Sequence, residues 1–322
     1  MFDRRTFLTL SLMGFATGSA AAQTWPTRPV TIVVPFAAGG PTDFVARVLA
    51  DKLTPRLGQP VVVENRAGAG GDIGGQVVAR AIPDGHTLLL STTGSLTVNR
   101  HLRPNASYDP IQDLKPATLT FRSDHVVIVR KDLPLRTLNE LIVHLKNKHG
   151  SLNYGSAGLG TTSHMIAELF KARAGVNMRH IAYRGAGPAL NDLVAGHIDV
   201  MVDSLANSLV QIQAGAVKAL AVTGTIRHPA LPEIPTAMEA GVADFSAFAW
   251  GALLAPVGTP DAIVERLSQE VREVYQERIT IDRLASAGAD PVACTPEQLA
   301  AFMRADTDQW ENLIKNAGIK LE

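Results

Sequence analysis

Val30-Thr31-Ile32-Val33-Val34-Pro35-Phe36-Ala37-Ala38-Gly39-Gly40-Pro41-Thr42-Asp43 is the stretch whose reading decides the fold. A short β-branched run reads as a strand, and Phe44, Val45, Val48, Leu49, Leu53 and Leu57 then recur at helical spacing. A strand that feeds through a glycine loop into a helix opens a βα unit. Glycines let backbone N–H groups point into open space, and the helix N-terminus adds a partial charge of about half a positive unit. Such a loop suits a carboxylate. The same residues also serve as a tight turn in which Thr42 or Asp43 caps the helix, and the sequence permits both readings.

Outward from this unit the alternation continues. Val61-Val62-Val63 reads as a strand, Ile73 to Ala81 as a helix and Leu88-Leu89-Leu90 as a strand. The order β, α, β, α, β predicts a parallel or mixed sheet with helices on both faces. The pattern restarts with a strand at Val126 to Val129, a helix at Leu138 to Leu145, a strand at Leu152 to Tyr154 and a helix at Met165 to Phe170. Asp199 to Val202 and Ala219 to Val222 read as later strands. Near the C-terminus, Thr259-Pro260 is read as a cap and first helical position before a helix through Ile263 to Tyr275. Thr295-Pro296-Glu297-Gln298 is a capping box for a last helix that should stop near Ala317-Gly318. No low-complexity linker separates the two series. Two α/β lobes joined by crossing strands, with a cleft between them, are therefore expected.

The chain has 322 residues and a formal net charge of zero. That leaves no electrostatic footprint for nucleic acid or for an anionic membrane surface. Residues 1–22 read as an export signal: Arg4 and Arg5, an uncharged stretch from Phe7 to Ala22, and small residues Ala20-Ala21-Ala22 before Gln23. An uncharged run of about 16 residues falls short of the roughly 20 that a spanning helix needs. Arg4-Arg5-Thr6-Phe7-Leu8 also resembles a twin-arginine signal, and ordinary signals carry such pairs too. The single cysteine, Cys294, excludes an intramolecular disulfide and a cysteine-based zinc site.

Enzyme motifs are missing: there is no Gly-x-Ser-x-Gly elbow, no Gly-x-x-x-x-Gly-Lys and no His-Glu-x-x-His. Gly68-Ala69-Gly70-Gly71-Asp72-Ile73-Gly74 departs by one residue from the dinucleotide fingerprint. The histidines lack the spacing of a metal site. Two further loops resemble the first. Gly155-Ser156-Ala157-Gly158-Leu159-Gly160-Thr161-Thr162-Ser163-His164 follows a strand and enters a helix, and its hydroxyls suit either a carboxylate or a helix cap. His164 reads as a helix-capping or solvated side chain ahead of a ligand contact. Tyr183-Arg184-Gly185-Ala186-Gly187-Pro188 also precedes a helix. Ligands of open α/β sheets sit outside the carboxyl ends of strands, where all three loops fall.

These residues make the chain resemble the substrate-binding receptors of tripartite tricarboxylate transporters, the TctC-like or Bug receptor family. The resemblance runs from Trp25-Pro26-Thr27-Arg28-Pro29 through the Pro35 to Arg47 loop and helix and Val61 to Gly71. It continues with Pro83-Asp84-Gly85-His86-Thr87-Leu88-Leu89, Tyr154-Gly155-Ser156-Ala157-Gly158 with His164 and Glu168, and Tyr183-Arg184-Gly185. Leu220-Ala221-Val222-Thr223, Leu231 to Thr236 with Glu239-Ala240-Gly241, and Ala255-Pro256-Val257-Gly258-Thr259-Pro260 complete the ordered set. It implies an α/β type II periplasmic binding protein fold, with residues 23–125 plus 242–322 forming one lobe and 126–241 the other. It implies a monomeric solute-binding protein, with no cofactor or metal, that captures a small organic carboxylate or amino acid. The integral membrane subunits of a tripartite transporter would be its partners, or else a membrane signalling protein that reads the loaded receptor. Carried over residue by residue, the ligand contacts are Phe36, Ala38, Gly39, Gly40, Thr42 and Asp43 from one lobe, and Ser156, Thr161, Thr162, His164 and Asp203 from the other. The sequence departs from the family at Gly251 and Ala252, where an aromatic and a glycine are usual, and at Arg184, where lysine is commoner.

Overall fold

The computed structural model describes residues 25–103, 106–147 and 151–317. The export signal read at residues 1–22 lies outside them. The first half runs β1 (Val30–Val34), α1 (Pro41–Leu57), β2 (Val61–Asn65), α2 (Asp72–Ala79), β3 (Thr87–Thr92), a π-helical turn at Gly94–Val98, α3 (Asn99–Leu102) and α4 (Pro110–Asp113). A long strand β4 (Leu114–Arg130) leads to α5 (Leu138–Asn147), β5 (Asn153–Ser156), α6 (Thr162–Ala174), β6 (Arg179–Ala182), α7 (Ala186–Val194), β7 (Val200–Ser204), α8 (Leu205–Gln213) and β8 (Val217–Val222). The chain returns through β9 (Phe248–Pro256) and closes with α9 (Asp261–Val274), α10 (Arg278–Ser286) and α11 (Pro296–Ala317).

One sheet holds these strands in the order β2-β1-β3-β9-β4-β7-β5-β6, with β8 paired to β4. β1 is parallel to β2 and β3, and β9 runs antiparallel between β3 and β4. Along β4, Leu114 to Asp124 pair with β9, whereas His125 to Arg130 pair with β7 and β8. The chain thus passes from one half of the sheet to the other inside a single strand. Only Val126 to Val129 of it carries the apolar signal; its first part is interrupted by Lys115, Thr118, Thr120, Arg122, Ser123 and Asp124. The buried Thr223 hydroxyl sits at the crossing, accepting the His125 N–H at 3.0 Å and donating to the Ala247 carbonyl at 2.6 Å.

Packing follows the periodicity. Val45, Val48, Leu49 and Leu53 of α1 are buried on Val30, Ile32 and Val34 of β1. Each such side chain contributes about 1.5–3 kcal/mol relative to exposure. Helix α1 has Pro41 in its first turn and stops at Gly58, whose left-handed φ of 71° lets its N–H reach the Thr54 carbonyl. A second core gathers Val127, Tyr154, Phe170, Val202 and Phe245. Helix α11 links the second core to a third: Leu299 and Met303 pack with Trp250 and Val33, while Trp310 and Ile314 pack with Phe170 and Phe245. Its capping box forms as read, with Thr295 N–H donating to Gln298 and Gln298 N–H to Thr295.

Some elements differ from the sequence reading. The cap before α9 is Pro260 and the first helical residue is Asp261, because the Thr259 hydroxyl donates to the Pro256 carbonyl instead of capping. Strands β6 and β9 and helices α8 and α10 form without a clear periodic signal in the sequence. Gly251, where the family favours an aromatic, faces Phe121 of β4; a Cβ at Gly251 would collide with that ring. Among the described residues no helix is long and apolar enough to cross a membrane.

Candidate functional site

The C-terminal ends of β1 and β3 and the loop after β5 converge. Loop 36–40 leaves β1 and enters α1 at Gly40, the N-cap. Gly39 has φ 83°, a left-handed backbone that L side chains rarely adopt, and Ala38 and Gly39 are exposed. Asp43, in the first turn of α1, folds back beneath the loop. Its Oδ2 accepts the Gly39 N–H at 2.9 Å and Arg47 Nε at 2.9 Å; its Oδ1 accepts Arg47 Nη2 at 3.0 Å and Asn65 Nδ2 at 2.9 Å. Asn65, at the end of β2, also donates to the Phe36 carbonyl at 3.1 Å. Burial pushes the Asp43 pKa up, but the hydrogen bonds from Arg47, Gly39 and Asn65 outweigh it and hold the carboxyl below its ordinary value.

Asp43 therefore braces the loop, and both of its oxygens are occupied in doing so. The Gly39 N–H is spent on that brace. The donors left to the helix start are those of Thr42 and Asp43, since first-turn amides have no intrahelical acceptor and Pro41 has no N–H.

The facing loop is built without formal charge. Thr161 is the N-cap of α6, but its hydroxyl donates to the Gly158 carbonyl at 2.7 Å and does not cap. Ser163 Oγ accepts the Ala157 N–H at 3.1 Å. His164 is buried rather than solvated, and its Nδ1 accepts at 3.2 Å the N–H of Gly160, the residue before the N-cap, so it ties the loop to α6 without capping a first-turn amide. Ser156, fully buried, bonds His180 Nε2 at 2.7 Å. The His180 ring packs on both Tyr154 and His164, with centroids 4.7 and 4.2 Å away, and Tyr154 and His164 are 6.5 Å from each other, so the three rings form a cluster. Beneath them the Tyr154 hydroxyl donates to Glu168, which pairs with Lys171 at 2.7 Å. Burial lowers the pKa of both imidazoles, that of His180 to about 4 with help from its neighbour His164. Tyr183 of the third loop packs behind, its carbonyl 3.2 Å from where a Cβ on Gly158 would lie, and Arg184 is exposed.

The two loops meet across the turn after β3. A Cβ on Gly94 would stand 3.2 Å from the Gly160 carbonyl, 3.5 Å from Thr162 N and 3.6 Å from its hydroxyl oxygen. A Cβ on Gly71 would stand 2.7 Å from Ser95 Cβ and 3.6 Å from the Phe36 ring. Phe36, Gly71, Gly94 and Ser95 therefore form one wall, with Thr161 and Thr162 beside it. The sequence reading misses Thr92 to Ser95, although a small polar run directly after Leu88 to Leu90 is a strand-end loop like the others. Arg47 and Asn65 lie within the stretches that carry the resemblance but are given no role there.

Asp203 belongs to β7. At the end of β7 its Oδ2 accepts from Asn207 Nδ2 and Ser208 Oγ, both at 2.6 Å, so it serves the start of α8. Burial raises its pKa to about 6 against the pull of these donors. On the other side Asp306 of α11, whose pKa burial raises, accepts from Thr97 of the π-helical turn at 2.6 Å and from Trp310 at 3.0 Å, anchoring that wall.

Comparison with known proteins places this geometry. Residues 45–319 match the family described as tripartite tricarboxylate transporter family receptor. Among solved structures, the periplasmic binding protein BugD is 39% identical, with a TM-score of 0.83 over 92% of this chain and 100% of that one. A protein of R. palustris solved with adipate is 36% identical, with a TM-score of 0.85 over 92% and 99%. MatC from Rhodopseudomonas palustris with bound malate is 36% identical, with a TM-score of 0.82 over 90% and 100%. The α/β architecture is that of periplasmic binding proteins.

Proposed function

The chain belongs to the tripartite tricarboxylate transporter receptor family, and on that premise we propose that it is an exported, periplasmic solute-binding protein. It captures a small organic carboxylate without an amine and delivers it to integral membrane subunits. The family's members are solute-binding receptors rather than enzymes. Two lobes, residues 25–125 with 242–317 and residues 126–241, close on the ligand through the crossings within β4 and just before β9. The carboxylate sits at Ala38-Gly39-Gly40 and the start of α1, with Phe36, Thr42 and Asp43 shaping that side. Thr161 and Thr162 approach it from the other lobe, backed by Ser156 and His164. Asp203 acts from the base of α8.

The observation that carries this reading is Asp43. An anion-binding helix start with a free aspartate would favour an ammonium group; here all of the carboxylate's bonding is internal. The adipate and malate in two similar receptors point to the same class. Backbone recognition of this kind needs no arginine in the cleft and writes little into side-chain identity.

Calorimetric titration with malate and adipate beside aspartate and glutamate tests the proposal. Binding of a dicarboxylate, abolished by Gly39→Val at its left-handed backbone, is expected. Tight binding of amino acids alone would refute the ligand class, and undiminished binding by Gly39→Val would refute the site. Mass spectrometry of the periplasmic protein should find Met1 to Ala22 removed; their retention would contradict export.

A further inference from the structure

We infer that Arg47 is a positioning and specificity residue of this receptor: from behind the first loop it neutralises Asp43, so that Asp43 can hold Gly39 without presenting a free carboxylate to the ligand. The inference rests on the carboxylate site proposed above. Arg47 is half exposed on α1, one turn after Asp43, and its hydrogen bonds go to Asp43 and Asn65; it acts only through the brace.

The geometry is specific to arginine. Its Nε and Nη2 take one oxygen each of Asp43, at 2.9 and 3.0 Å, and Nη2 also reaches Asn65 Oδ1 at 3.2 Å. That is the planar fork matched to a carboxylate. Asp43 itself is buried and receives two more donors, the Gly39 N–H and Asn65 Nδ2. Arg47 is the charge acting on it, while Asn65 and the Gly39 amide are neutral. Without Arg47 the loop would keep its shape-giving contact to Gly39 but would carry an uncompensated negative charge beneath the amides meant for an anion. Like charge repels a ligand carboxylate, and the same charge attracts an ammonium group. Arg47 therefore sets the sign of ligand that the loop accepts.

The test uses the full receptor with malate and adipate as dicarboxylate probes and aspartate as the amine-bearing probe. Arg47→Gln should weaken dicarboxylate binding by about 10-fold and shift the aspartate-to-dicarboxylate preference towards aspartate. Arg47→Lys, which keeps the charge and loses the fork, should recover most of the affinity. The deciding variant is Arg47→Gln with Asp43→Asn. Neutralisation predicts that this double variant binds the dicarboxylate more tightly than Arg47→Gln alone, since the repelling charge is gone and the amide oxygen that replaces the carboxylate still accepts the Gly39 N–H. A double variant that binds no better would overturn the inference in favour of a bracing role only. A ligand-free readout separates this from the ligand assignment. The pH titration of the Gly39 amide resonance reports Asp43, and its midpoint should rise in Arg47→Gln; an unmoved midpoint would overturn the inference even if neither dicarboxylate binds the unaltered protein.

Discussion

The loop before α1 and the loop before α6 present similar glycine and hydroxyl residues, yet they are braced by opposite means. The first rests on charge: an ionised Asp43 gripped by Arg47, with Asn65 tying it to β2. The second rests on neutral groups: Ser156, Ser163, Thr161 and a cluster of the Tyr154, His180 and His164 rings. A buried carboxylate needs a cation to be tolerated beside an anion site, whereas uncharged hydroxyls and imidazoles need only satisfied hydrogen bonds. The difference makes acid the natural way to tell the loops apart.

The largest expected effect is on the second loop. His180 titrates near 4 in the folded chain and about 6.5 when unfolded, so the stability tied to its neutral form is full above pH 6.5 and is lost as pH falls towards 4. At about 1.4 kcal/mol per unit, the loss approaches 3 kcal/mol, part of which solvent screening at the half-buried ring removes. Urea unfolding from pH 7 to 4 should therefore show a shallower decline for His180→Gln than for the unaltered chain; superimposable profiles would show that the His180 imidazole does not carry this dependence. The Asp43 brace has the opposite window. Its folded pKa lies below the ordinary carboxylate value, so its contribution is intact above about pH 4 and fails only in stronger acid. Asp43→Asn should leave the shape of the same profile between pH 7 and 5 unchanged.

A smaller effect is expected from Asp43→Ala, which orphans the Gly39 N–H and Asn65 and should cost about 2 kcal/mol in denaturant unfolding. Ser156→Ala, which removes one partner of His180, should cost about 1 kcal/mol. If the order of these two is reversed, the neutral loop is the more tightly built one and the comparison fails.

How much of this the sequence discloses depends on range. The βα unit at Val30 to Leu57 is legible because strand, glycine loop and helix follow one another, and the capping box at Thr295 for the same reason. The crossing strand is not, since Leu114 to Asp124 owes its pairing to β9, which returns from far along the chain, and its polar residues break any apolar alternation. At the site, the candidate loops are legible as glycine and hydroxyl runs after strands. Their braces are not: Asn65 lies 22 residues from Asp43 and His180 lies 24 from Ser156, without a motif to join them. His164 is readable as a polar residue at a helix start; its place in a ring cluster is not, because β5, β6 and α6 must first assemble.

The central claim is that a ligand carboxylate is held at the start of α1 by backbone donors, opposite Thr161 and Thr162. A crystal structure of the receptor grown with malate or adipate tests it most directly. The account predicts a carboxylate within hydrogen-bond distance of the Thr42 or Asp43 N–H, with Asp43 still bound to Arg47 and the Thr162 hydroxyl turned towards the ligand. A carboxylate bound instead by arginine or lysine side chains away from this loop, or an Asp43 released from Arg47 to meet the ligand, would contradict it.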